Sequence, residues 1–325
     1  MVRTTVVGSY PRIGDTHEEQ ALRRAIARFD KGEATEADLL AAEQDTVHGV
    51  LREQAEAGAD LVTDGLVRWN DSQSHLARKL AGVEVGGLVR YFDTNTYYRQ
   101  PIVTATLDWR GPILVDEWRF AAEACHAPVK AVLTGPVTLA SLALDRHYGK
   151  RRALALAFAD ALAEEVAALQ AAGAAHIQVD EPILTREPED LPLVAETFER
   201  LASRKGTAEL ILATYFGDVA RIYRDLLEIP ADAFLLDLVQ GAKTWSQLVK
   251  RGSEKPLVLG VVDARNTRLE DPRALAARVR RLQDSVDLNR SYLAPSNGLE
   301  FLPREKARQK LAVLVAAATR IGGGA

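Results

Sequence analysis

The chain is short of sulfur: 325 residues contain one cysteine, Cys125, and one methionine. A single thiol excludes an intrachain disulfide framework and any paired-cysteine metal or redox motif. Aromatic residues are 6% of the chain and nowhere interleave with a basic cluster, so a nucleic-acid surface is not expected. Charge of one sign is also lacking. The formal net charge is -4, too little to recruit nucleic acid or an anionic membrane. No apolar run is long enough to span a bilayer, and Thr4-Thr5-Val6-Val7-Gly8-Ser9 follows the start without a charged-then-apolar leader. Membrane association is therefore not expected, and a reducing cytoplasm is the expected location. Neither a GxSxG elbow nor a GxxxxGK[ST] phosphate loop is present.

With 47% hydrophobic and 26% charged residues, the chain has the profile of a globular protein with a substantial core. Short β-branched runs alternate with helical patterns along its length. The expected strands are 4–9, 61–64, 129–135, 176–180, 210–215, 234–239, 257–262 and 292–295. Helical spacing near 3.6 falls between them, for example over 153–172, 191–203, 272–284 and 304–321. Eight strands each followed by a helix predict an α/β fold, a closed (β/α)8 TIM barrel. The alternative, an open doubly wound sheet, lacks a glycine-rich fingerprint after the first strand. Two additions stand out. A long helical insertion, 18–57, follows strand one, broken near Lys31-Gly32-Glu33. A hairpin-like excursion follows strand two, with 83–90 and 101–109 flanking Tyr91-Phe92-Asp93-Thr94-Asn95. No proline- or serine-rich linker intervenes, so residues 1–325 are expected to form one domain, ending in the glycine tail 322–324.

Barrel sites form where the strands end. Gln178-Val179-Asp180-Glu181-Pro182 ends an apolar run with two carboxylates and a proline that cannot extend the ladder. Alternation sends Asp180 and Glu181 to different sides. Buried carboxylates need a positive partner: a substrate ammonium, a metal or an arginine. A purely structural pair satisfied by arginine fits the pattern equally well. The other ends carry Gly8-Ser9, Asp64-Gly65, Gly135-Pro136, Thr214-Tyr215, Asp237, Asp263 and Ser296-Asn297, a convergence of polar groups that favours a ligand site. Gly8-Ser9 offers backbone N–H groups to an anion, or simply makes a tight turn. Asn70-Asp71 suits a helix cap as well as a site. Of the six histidines, only His17 and His75 follow strands closely enough to approach such a mouth. No pair has metal-ligand spacing.

Several of these segments, taken in order, resemble the cobalamin-independent methionine synthase family. They are Thr4 to Arg12, Phe92-Asp93-Thr94-Asn95-Thr96-Tyr97-Tyr98, Gly135-Pro136-Val137-Thr138, Gln178 to Pro182, Thr214-Tyr215-Phe216-Gly217 and Gly260 to Asn266. The likeness extends from about residue 4 to residue 305. Gly8-Ser9, Arg68, Asn70-Asp71 and Asn297-Gly298-Leu299 look like that family's catalytic C-terminal barrel. The Phe92–Tyr98, Thr214–Gly217 and Val261–Asn266 segments look like its N-terminal barrel. The resemblance implies methyl transfer to homocysteine sulfur, with Gly8 and Ser9 holding the substrate carboxylate and Asp180 and Glu181 its ammonium. It also implies zinc, which binds the thiol as thiolate. The family's ligands are His and Cys after strand five, Glu near strand six and Cys at strand eight. Here Ala213-Thr214-Tyr215, Asp237 and Asn297 stand there, so a zinc site of the usual kind is not expected.

The expected function is thus a methionine-synthase-like S-methyltransferase taking methyl groups from a methyltetrahydrofolate-like or other donor. Asp180, Glu181 and Asp263 are the expected catalytic groups. Gly8, Ser9, Arg12, Asp64, Arg68, Asn70, Tyr215, Asp237 and Asn297 are the expected substrate contacts. Arg12, Arg68 or Arg265 would lower the thiol pKa if zinc does not, unless an improvised metal site forms near His17 or His75. The alternatives are a zinc-free binding protein or pseudoenzyme holding an amino acid or pterin, and a metal-free acid/base barrel enzyme using Asp180, Glu181 or Asp263. Small molecules are the expected partners, with an accessory protein or a second copy left open.

Overall fold

Runs of Val, Leu and Ile with no polar alternation, such as Leu257–Val262, are buried on both faces, as parallel strands covered by helices require. A computed structural model describes residues 2–323, and Gly324 of the expected glycine tail lies outside them. In chain order the strands are β1 (Arg3–Thr4), β2 (Ala81–Arg90), β3 (Tyr97–Asp108), β4 (Ala131–Thr134), β5 (Leu144–Asp145), β6 (His176–Asp180), β7 (Glu209–Thr214), β8 (Ala233–Asp237), β9 (Leu257–Val262) and β10 (Tyr292–Pro295). The helices are α1 (Ala21–Asp30), α2 (Glu36–Ala57), α3 (Ser74–Ala77), α4 (Val115–Ala124), α5 (Pro136–Leu142), α6 (Arg151–Ala172), α7 (Leu191–Ala202), α8 (Tyr223–Leu226), α9 (Ala242–Arg251), α10 (Pro272–Arg280) and α11 (Arg304–Gly322). No described helix is long and apolar enough to cross a membrane. The chain falls into two compact units, residues 2–68, 120–129 and 236–323 in one, 69–119 and 130–235 in the other.

In the first unit β1 pairs with β10 and β10 with β9, all parallel, and Leu238 N donates to Gly260 O to bring the end of β8 beside β9. The expected strand at 61–64 is reduced to one parallel bridge on each side. Leu61 and Val62 make only isolated bridges, to Thr5 and Val129. The reason is a side chain. Gln54 of α2 accepts from Thr63 N at 3.1 Å and donates to Thr63 O at 2.8 Å, taking the place of ladder partners. The first strand is likewise shorter than expected, because Thr63 Oγ1 donates to Gly8 O at 2.7 Å and pulls that segment out of the ladder. The helical insertion divides as the sequence suggests. Thr35 and Asp38 close a capping box at the start of α2, and Gly58, at φ 87°, ends it in the left-handed region that glycine tolerates. Arg304 on α11 is buried against Glu53, a pairing that a buried guanidinium needs.

In the second unit β4, β6 and β7 pair in parallel with unbroken register, Thr134 opposite Asp180 and Asp180 opposite Ala213. The start of β8 adjoins β7, where Asp232 N donates to Leu210 O. The excursion is an antiparallel hairpin of β2 and β3, as expected, to which the two-residue β5 adds a parallel edge. Glu165 of α6 is fully buried and accepts from Trp109 Nε1, Ile113 N and Leu114 N at 2.8, 2.8 and 2.7 Å. One carboxylate thus ties the segment leaving the hairpin to the long helix.

Candidate functional site

β6 ends in the two carboxylates, and the structure gives them different work. Glu181 is fully buried. Its Oε1 accepts from Val137 N at 2.9 Å, and its Oε2 from Thr138 N at 2.8 Å and Thr138 Oγ1 at 2.6 Å. These are the orphan N–H groups at the start of α5, and Pro136 at the first helical position leaves none wasted. Gly135 makes room, because a Cβ there would lie 2.2 Å from Glu181 Cδ. Burial pushes the Glu181 carboxyl up to about 7, against the pull of the Thr138 and Val137 hydrogen bonds.

Asp180 is 8% exposed, where Glu181 is fully buried. Gln178, two residues earlier and so on the same face, donates to Oδ1 at 2.6 Å, and Tyr215 OH donates to Oδ2 at 2.9 Å. Burial raises the Asp180 carboxyl to about 6, while Gln178, Tyr215 and the nearby Lys130 charge oppose the rise. The Tyr215 hydroxyl is driven well above its ordinary value, first by burial and then by the Asp180 charge. Behind Gln178 stands Lys130, 2% exposed, whose Nζ donates to Gln178 Oε1 at 2.6 Å. An aromatic group surrounds the Tyr215 side: Tyr91, Phe92, Tyr98 and Phe216 meet edge-on or tilted at 4.6–6.2 Å. Phe92 and Phe216 both adopt positive φ, 47° and 70°, a strain their mutual packing sustains.

In the first unit the segment of Gly8 and Ser9 is fixed by three bonds. Thr63 Oγ1 donates to Gly8 O, Leu299 N to Ser9 O at 2.8 Å, and Tyr10 N to Gly65 O. Asn297, just past β10, is fully buried. Its Nδ2 donates to Ser296 Oγ at 3.3 Å, and its Oδ1 finds no hydrogen-bond partner among the described residues. Asp64 Oδ1 caps Leu66 N, Asp237 Oδ1 accepts from Val239 N and Gln240 N, and Asp263 Oδ1 accepts from Arg265 N. Arg12 donates to Val67 O and its guanidinium is lowered by burial. Arg68 lies over Phe120 and reaches toward Glu43, and Arg265 lies over Phe301.

His75 is buried, stacked on Trp69 and bonded to Glu117 at 3.1 Å. Asn70 is exposed, and Asp71 does the capping, its Oδ1 accepting from Gln73 N and Ser74 N. Sequence reasoning passed over Lys130, Gln178 and Thr138. Gln178 was readable as the residue sharing Asp180's face, whereas a lysine at a strand's edge reads as surface.

The donor set does not suit zinc. Thr214 Oγ1 donates to Leu235 O, the Tyr215 hydroxyl serves Asp180, Asp237 is held by backbone, and Asn297 presents an amide. Among the described residues no three His, Cys, Asp or Glu side chains cluster as a metal site, and His17 is exposed.

Parallel strands with intervening helices and polar strand ends define an α/β-barrel protein of the kind that binds small molecules at strand termini. The family model described as the catalytic domain of cobalamin-independent synthase matches residues 2–320, and this chain belongs to that family. A methionine synthase of Saccharolobus solfataricus is 32% identical over 317 residues, 97% of this chain and 93% of the relative. One from Sulfurisphaera tokodaii is 32% identical over 314 residues, 96% of this chain and 90% of its own. A solved B12-independent methionine synthase from Shewanella sp. W3-18-1, in complex with selenomethionine, superposes with a TM-score of 0.82 at 22% identity, covering 98% of this chain and 97% of that one. The Listeria monocytogenes structure of a putative vitamin-B12-independent methionine synthase gives 0.78 at 20% identity, with both chains fully covered. These likenesses establish the barrel fold expected from the alternation of elements.

Proposed function

We propose that the chain is a homocysteine S-methyltransferase of the methionine synthase type, and that Asp180 binds the ammonium of its amino-acid substrate. The observation that carries this reading is the contrast between the two carboxylates. Glu181 is occupied on both oxygens by α5, while Asp180 holds one donor on each oxygen and retains accepting capacity. A buried carboxylate in that state favours a cation, and an amino acid supplies one. Named relatives at 32% identity and a fold neighbour solved with selenomethionine support the same ligand class. The aromatic group at Tyr91, Phe92 and Phe216 suits the flat ring of a methyltetrahydrofolate-like donor.

A second reading has its own support. The residues at the zinc positions are hydroxyl, amide and backbone-bound carboxylate, which favours a binding protein that holds the amino acid without turnover.

Calorimetry with homocysteine and methionine tests both. Asp180→Asn is expected to weaken binding about 10- to 100-fold, the loss of one charge-assisted hydrogen bond. Unchanged affinity in that variant would remove the ammonium assignment. Methionine formation from homocysteine and methyltetrahydrofolate supports the transferase, and tight binding with no product under any folate donor supports the binding protein.

A further inference from the structure

Lys130 carries a charge into the interior of the second unit, 2% exposed, one residue ahead of β4. A buried ammonium is costly unless something specific receives it. What receives it is a carboxamide: Lys130 Nζ donates to Gln178 Oε1 at 2.6 Å. An ammonium can only donate, so the oxygen of Gln178 is forced to face Lys130 and its nitrogen is forced to face away. On that far side lies Asp180, whose Oδ1 accepts from Gln178 Nε2 at 2.6 Å. Residues two apart on one strand share a face, so β6 itself aligns amide and carboxylate.

We propose that Lys130 is a positioning residue for Asp180, acting through the amide of Gln178. The lysine fixes which way the amide points. The amide then gives Asp180 a donor rather than an acceptor, and its dipole carries the lysine charge toward the carboxylate. Tyr215 holds the other oxygen at 2.9 Å, so the carboxylate plane is clamped from two sides with accepting capacity left for a ligand. The inference rests on the assignment of Asp180 to an ammonium.

The groups facing this chain of bonds come from each packed element. Glu209 at the start of β7 and Asp180 act on Lys130, Asp180 acts on Glu181, and Tyr91 lies beside Tyr215. Burial lowers Lys130 to about 8 and raises Asp180 to about 6, so both are mainly charged between those values. Removing the lysine leaves Asp180 with burial and less to oppose it.

The test uses Lys130→Met, which keeps length and loses charge, and the double variant Lys130→Met/Gln178→Met, which leaves no stranded polar partner. In ligand-free protein the Asp180 carboxyl is titrated by carbon-13 NMR. Its midpoint is expected to rise by about one pH unit in Lys130→Met, and at least as far in the double variant, which also loses the amide donor. Methionine affinity at pH 6 should fall about tenfold, while 4-(methylthio)butanoate, which lacks the ammonium, should change less than about twofold. Midpoints within about 0.3 unit of wild type in every folded variant overturn the proposal. Should Lys130→Met fail to fold, the double variant is compared with Gln178→Met alone, and an equal midpoint in the two overturns the proposal. The two readings separate cleanly. Wild-type methionine affinity in Asp180→Asn removes the ammonium assignment and with it the role proposed here. Loss of affinity in Asp180→Asn with an unmoved NMR midpoint in the lysine variants removes only the role of Lys130.

Discussion

Gly135→Ala is a one-methyl change that should cost more than most core truncations. The backbone at Gly135, φ -71° and ψ 152°, is open to any residue, so the substitution brings no conformational strain of its own. The methyl would instead stand 2.2 Å from Glu181 Cδ and 2.3 Å from Oε1. No rotation of alanine relieves this, so the carboxylate must leave its place. Leaving breaks the bonds from Val137 N, Thr138 N and Thr138 Oγ1, at 2.9, 2.8 and 2.6 Å, in a site closed to water. Hydrogen bonds to a charged group contribute about 1.5–3 kcal/mol each, and partial relaxation returns some of that. We expect a loss of about 4 kcal/mol in urea unfolding at pH 8, where Glu181 is ionised. Gly87→Ala, whose Cβ would meet nothing within 4 Å, is the control and should stay within about 0.5 kcal/mol. The mechanism also predicts non-additivity: once Glu181→Ala has removed the obstruction, adding Gly135→Ala should cost little more. A loss below about 0.5 kcal/mol in Gly135→Ala, or simple addition in the double variant, would refute the reasoning.

Two further outcomes concern buried carboxylates. Glu165→Gln turns an acceptor of three donors into a group that must present an N–H to one of them, and should lower stability by about 2–3 kcal/mol in the same unfolding assay. Asp180 has its folded value raised from 3.8 to about 6, so the unfolded chain ionises first as pH rises and wild-type stability falls across that window. Asp180→Asn has no such slope. Its stability relative to wild type should therefore grow by about 2 kcal/mol between pH 4 and 6, and a flat difference would contradict the raised value.

The strands most legible in the sequence were those bounded by chemistry as well as pattern. β6, β9 and β10 have the ends expected, because an apolar run meets a carboxylate or a proline at its limit. The strand at 61–64 is shorter than expected, with parallel bridges at Leu61 and Val62 only, because Gln54 on a helix takes both backbone groups of Thr63 and has no local signature. β5, with two residues, is too short to leave any period. At the site, the Asp-Glu pair announced itself, but its division of labour did not. Which carboxylate turns to α5 depends on the absent side chain of Gly135, a residue distant in sequence. His75 looked available because it followed an expected strand, and Glu117, on α4, is what claims it. The family likeness supplied substrate roles that periodicity alone had left open, and the same likeness exposed the substituted zinc positions.

The Oδ1 atom of Asn297 has a consequence for how ligands of this protein would be found. Among the described residues nothing donates to that buried oxygen, and leaving a buried acceptor unpaired costs about 1–3 kcal/mol. A compound that donates to that oxygen restores this amount on top of its other contacts, and raises the melting temperature in proportion. A thermal-shift screen would therefore sort compounds by whether they reach Asn297 as much as by affinity. In Asn297→Leu, a sturdier protein by the same reasoning, that ranking would collapse.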